Sequence, residues 1–135
     1  KLAAVLHAEK DFMLVVSYNP GYQSVLKEMK PSTRQRFVSL LFDYPPEAAE
    51  AEIIAAESGV GSDTAGRLAK LAGKIRTLVD RGLEEGVSTR LLTHAARLIE
   101  AGLEPREACD AAFSQTLTDD PDLRMSIRQL VMDFF

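Results

Sequence analysis

The feature that most constrains this chain is a change of texture at Asp43–Pro46. Before it stand two short, continuous apolar runs, Phe12-Met13-Leu14-Val15-Val16-Ser17 and Phe37-Val38-Ser39-Leu40-Leu41-Phe42. Each closes on turn residues, Asn19-Pro20-Gly21 for the first and Asp43-Tyr44-Pro45-Pro46 for the second. Runs of that length, bounded in that way, predict strands buried on both faces. Between them Gln23–Gln35 predicts a helix broken at Pro31, and Lys1–Ala8 predicts the tail of a helix begun upstream. The first third therefore reads as β–α–β, the connection that a parallel sheet requires. Two strands make no stable sheet alone, so this reading expects further strands on the N-terminal side.

After Pro46 the period becomes helical. Pro46–Ser58 is rich in Ala and Glu and stops at Gly59, with Pro at the start and Gly past the end as helices prefer. Ser62 is expected to cap a helix over Asp63–Asp80, whose Ala65, Leu68, Leu71, Ile75 and Leu78 form one apolar stripe ended by Gly82. Ser88 caps the next, with Leu91, Leu92, Ala95, Leu98 and Ile99 inward and Gly102 at its end. Pro105 opens a helix through Ala108, Ala111, Ala112 and Phe113, and Asp120-Pro121 opens the last. The expected fold is an α/β remnant over residues 1–45 followed by an all-α bundle of about five short helices over 46–135.

Composition narrows the function classes. Lys and Arg total 16 against 20 Asp and Glu, giving a net charge of −4, the wrong balance for a dedicated nucleic-acid binder. No apolar run is long enough to span a membrane and no signal segment opens the chain, so a cytoplasmic location is expected. One cysteine, Cys109, forms no internal disulfide or metal cluster by itself and reads as a small core residue. His7 and His94 lack partners at metal-ligand spacing, so no metal site is expected, and His94 reads as a half-buried packing residue. Glu47, Glu50, Glu52 and Glu57 read as a solvated helix face.

Two motif-like stretches fail on their chemistry. Gly61–Leu68 has the glycine spacing of a phosphate-binding loop, but Arg67 stands where its Lys belongs and Leu68 where its Ser or Thr belongs. Asp43 after an apolar run imitates an Mg²⁺-holding acid, but Tyr44 follows where a Glu should polarise water.

Three positions invite a functional reading. Asn19 directly follows a predicted strand, where ligands of open α/β sheets bind and where an amide can orient a water; the competing reading is an Asx-turn before Pro20. Arg34 and Arg36 offer two cations at one helix end, suited to a neighbouring subunit's phosphate, or else a solvated helix C-terminus. Arg90 lies in the first turn of its helix, electrostatically the wrong end for a cation. It either reaches out to an anion or pairs with Glu84 or Glu85.

The order strand, Asn, helix, Arg-x-Arg-Phe, strand, helical domain resembles the C-terminal half of an AAA+ ATPase module. More closely, Val15–Ser24, Ser32–Phe37 and Gly82–Leu92 resemble the CbbQ/NirQ/NorQ family of the MoxR branch, and the likeness covers essentially the whole chain. The resemblance implies that Asn19 is the sensor-1 residue, that Arg36 or Arg34 is the arginine finger, and that Arg90 is the sensor-2 residue. It implies ATP and Mg as ligands, held mainly by a P-loop and an Asp-Glu pair upstream of Lys1. The chain then reads as a fragment, inactive alone, of an ATP hydrolase that forms hexameric rings. Such a protein works with a von Willebrand factor A-domain partner and remodels a client enzyme, Rubisco or nitric oxide reductase, without nucleic acid or membrane insertion. The alternative is a stand-alone helical interaction module with no nucleotide chemistry.

Overall fold

Residues 7–17 and 30–135 are described by the computed structural model. The chain divides into two units, Lys1–Leu41 and Phe42–Phe135, each considered by itself.

Among the described residues of the first unit one short helix forms, α1 (Pro31–Arg34), with Pro31 at its first position, where the missing N–H costs nothing. Neither apolar run is a strand. Phe12–Ser17 and Val38–Phe42 have no ladder among the described residues, and their side chains are exposed, 67% for Phe12 and 90% for Val38. The expected α/β remnant is therefore not shown among the described residues. A strand, unlike a helix, satisfies its backbone only through a neighbour. Apolar content alone cannot supply that neighbour. Of the expected upstream helix, His7 and Ala8 are irregular and the rest lies outside the described residues, as does Gln23–Met29.

The second unit is all helical among its residues. It comprises α2 (Glu47–Ser58), α3 (Ser62–Arg76), a 3₁₀ turn (Val79–Arg81), α4 (Thr89–Glu100), α5 (Pro105–Cys109) continued by a π turn (Asp110–Ser114), and α6 (Pro121–Phe134). Helix α2 packs on α3 and α4, α4 meets α5 and the π turn, and α3 meets α6. The stripe predicted on α3 is the centre of the core. Leu68, Leu71 and Ile75 are fully buried with Ile54 of α2, Leu92 of α4, Phe113 of the π turn and Ile127 of α6.

Helix ends follow local chemistry. Gly59 takes the left-handed conformation at φ 81° and its N–H reaches the Ala55 carbonyl, stopping α2. The Ser88 hydroxyl accepts from the Leu91 N–H at 3.4 Å, and Asp120 accepts from Asp122 and Leu123 at 2.8 and 3.1 Å.

Four details depart from expectation. Ser62 is the first residue of α3, and Gly61 is its cap position. Helix α3 ends at Arg76 because the next N–H groups, of Thr77 and Leu78, bond three residues back, tightening the chain into a 3₁₀ turn. Leu98 is exposed at the edge of the α4 stripe. The helix from Pro105 widens into a π turn at Asp110, and the added residue brings Phe113 and Ser114 inward together.

Candidate functional site

The N-terminus of α4 is held by a polar network that begins on α2. Glu50 is 1% exposed, which corrects its assignment to a solvated face. A buried carboxylate requires partners, and Glu50 has three bonds. Arg76 of α3 donates to both of its oxygens, at 2.8 and 2.7 Å, and the Thr89 hydroxyl donates to Oε1 at 2.6 Å. Arg76 extends the network through its Nε, which donates to the Val87 carbonyl at 3.0 Å. Its guanidinium also lies 3.7 Å from the centroid of the Tyr44 ring. The Tyr44 hydroxyl in turn donates to the Gly86 carbonyl at 3.2 Å. A Cβ on Gly86 would stand 2.9 Å from Arg76 Cγ and 3.0 Å from the Tyr44 oxygen, so only glycine fits between them.

Arg90 sits one residue beyond Thr89 and behaves differently. It is exposed and makes no hydrogen bond or ion pair among the described residues. Glu84 and Glu85 do not pair with it, and the first turn of α4 holds no acid. The result is an uncompensated cation at the end of a helix that carries a partial positive charge. That arrangement suits an anion supplied from outside.

The other predicted residues are not brought to this place. Arg34 is the last residue of α1 and Arg36 lies in the following turn, both exposed and without an ion pair among the described residues. Asn19 lies outside the described residues. His7 and His94 are exposed, the latter against expectation, because it falls on the outer face of α4 between buried Thr93 and Ala95. Cys109 is fully buried, and desolvation pushes its thiol up to about 12. Among the described residues no cluster of three or more His, Cys, Asp or Glu could hold a metal ion.

The two motif-like stretches have structural roles. Arg67 donates to the Phe134 carbonyl and stacks 4.3 Å from the Phe135 ring centroid, clasping α3 to the end of α6. Asp43 accepts from the Tyr44 N–H at 2.7 Å, in an irregular segment that is neither helix nor strand. An open groove of about 380 Å³ between the π turn and α6 is lined by Arg106, Asp110, Ser114, Arg128, Val131 and Met132, none of them a predicted site residue.

Sequence reasoning missed Glu50, Arg76, Tyr44 and Thr89. One signal was present: Glu50 precedes Ile54 by four residues, so the two share a helix face, and Ile54 is fully buried.

A family model described as CbbQ/NirQ/NorQ C-terminal matches residues 50–134. The chain belongs to the CbbQ/NirQ/NorQ family. It is 48% identical to protein CbbQ of Hydrogenophilus thermoluteolus over all of this chain and 51% of that protein. It is 51% identical to protein NorQ of Paracoccus denitrificans over 96% of this chain and 48% of that protein. Denitrification regulatory protein NirQ of Pseudomonas aeruginosa is 53% identical over 93% of this chain and 48% of its own length. The chain thus spans about half the length of the curated relatives it matches. The CbbQ/NirQ/NorQ C-terminal match falls within the helical unit, and it contains Glu50, Arg76, Thr89 and Arg90. Among the described residues no helix is long and apolar enough to cross a membrane.

Proposed function

We propose that this chain is the distal part of an AAA+ ATPase whose helical unit is the lid over bound nucleotide. The observation that carries the reading is Arg90, an exposed cation with no ion pair among the described residues, in a first helical turn that holds no acid. A cation at that end opposes the helix dipole, and a phosphate within its reach reverses the sign of the interaction. Membership of the CbbQ/NirQ/NorQ family supports the same reading.

ATP is the substrate in this account, bound with Mg²⁺ mainly by residues of the longer protein that precede this chain. Asn19 holds the attacking water by its amide, and Arg36 or Arg34 reaches the nucleotide of an adjacent protomer in a hexameric ring. Arg90 binds the phosphates and reports their presence to the lid. The ring acts with a von Willebrand factor A-domain partner on a client enzyme, of the Rubisco or the nitric oxide reductase kind.

The test uses the complete gene product and complementation between protomers. Asn19→Ala and Arg36→Ala should each lower ATP turnover by about a thousandfold or more, as loss of an arginine finger does elsewhere. Mixing the two variants should restore part of the activity, because some interfaces then combine an intact Asn19 with an intact Arg36. Arg34→Ala in place of Arg36→Ala identifies the finger. Full turnover by both arginine variants overturns the reading.

A further inference from the structure

We propose that Glu50, Arg76 and Thr89 are positioning residues for Arg90, a part-buried clamp that fixes the first turn of α4 so that Arg90 is left to meet phosphate. The proposal rests on the nucleotide reading of Arg90 and adds the means by which the fold aims it.

Arg90 makes no hydrogen bond or ion pair that orients it among the described residues, so its direction is set mainly by the backbone on its N-terminal side. That backbone is held at consecutive points. Tyr44 holds the Gly86 carbonyl, Arg76 holds the Val87 carbonyl, Ser88 closes the cap, and Glu50 holds the Thr89 side chain. The holding groups come from α2, α3 and the segment before α2. The clamp therefore ties the start of α4 to α2 and α3.

Charge supports the same assignment. An acid this close to the start of α4 could capture Arg90 and silence it. Glu50 does not, because Arg76 occupies both of its oxygens in a two-bond fork and Thr89 occupies Oε1 as well. The buried carboxylate is thereby neutralised by a residue other than Arg90. A buried ion pair gives little stability over a well-packed apolar pair, so its use here is better explained by geometry than by strength. Gly86 carries the same message, since its lack of a Cβ is what lets Arg76 and Tyr44 close on the segment.

The experiment is a double-mutant cycle in the complete gene product, reading kcat and KM for ATP together with the melting temperature. Thr89→Val keeps the side-chain shape and deletes only the hydroxyl that reaches Glu50. It should lower kcat/KM by about tenfold or more, the scale of a catalytic group displaced by a fraction of an ångström to 1 Å. Thr89→Ser, which keeps the donor, should recover most of that loss. In an Arg90→Ala background Thr89→Val should cost nothing further, because the clamp acts through Arg90. A Thr89→Val penalty of equal size with and without Arg90, or a fall in melting temperature with kcat/KM unchanged, overturns this proposal alone. An Arg90→Ala protein with wild-type kcat and KM overturns the nucleotide reading and the proposal with it.

Discussion

Replacing Arg76 by Met should be among the most damaging single changes available in the helical unit. The substitution keeps most of the aliphatic stem but deletes both bonds to Glu50, the bond to the Val87 carbonyl and the stack on Tyr44. What remains is a carboxylate that is 1% exposed and has only the Thr89 hydroxyl as donor. Breaking a buried pair on one side costs about 3–5 kcal/mol, whereas an exposed pair is worth ~1 kcal/mol at most. Urea unfolding of this chain, followed by far-UV circular dichroism, reads the difference. With a slope of about 1.5 kcal/mol per molar urea, the midpoint should fall by about 2–3 M. The companion variant Glu50→Leu/Arg76→Met removes the stranded charge and should recover part of the loss, leaving about 1–3 kcal/mol for the Thr89 hydroxyl and the Val87 carbonyl that still lack their partners. A midpoint for Arg76→Met within about 0.5 M of wild type, roughly the effect of a surface pair, refutes the reasoning. So does a double variant no more stable than the single.

Two further outcomes concern residues away from the α4 terminus. Arg128 donates twice to Asp110, at 2.7 and 2.9 Å, and holds its carboxyl below the ordinary value of 3.8. A depressed carboxyl contributes stability that is present above its unfolded value and is lost as pH falls through the folded one. The urea midpoint of Asp110→Asn should therefore lie slightly below wild type near neutrality and converge with it in acid; a gap that widens on acidification contradicts the pairing. Cys109, enclosed and pushed up to about 12, should resist thiol reagents at mildly alkaline pH until the protein unfolds. Rapid stoichiometric labelling of the native protein would show that the site is not enclosed.

The helical unit was largely legible because helix ends are written locally. Gly59, Gly82 and Gly102 all take left-handed backbone where a stop was expected, and Ser88 and Asp120 both cap where a start was expected. Arg90 stood out for a similar reason, as a local charge that conflicts with its own helix. The failures have non-local causes. Whether Phe12–Ser17 or Val38–Phe42 becomes a strand depends on a ladder partner, which periodicity within the run cannot reveal. Glu50 reads as one of several surface acids until Arg76, 26 residues away, is seen to face it. The π turn at Asp110 inserts a residue without any proline or glycine to mark it, so the inward face shifts unannounced.

The most direct test of the account is ATP turnover by the complete gene product with Arg90 intact and replaced by Ala. Loss of a charge-assisted contact to phosphate, worth about 1.5–3 kcal/mol, predicts a ten- to hundredfold fall in kcat/KM. The melting temperature without nucleotide should be unchanged or slightly raised, because Arg90 is exposed, has no ion pair among the described residues and opposes the dipole of its own helix. Equal kcat/KM for the two proteins would contradict the claim that the start of α4 is built to meet nucleotide.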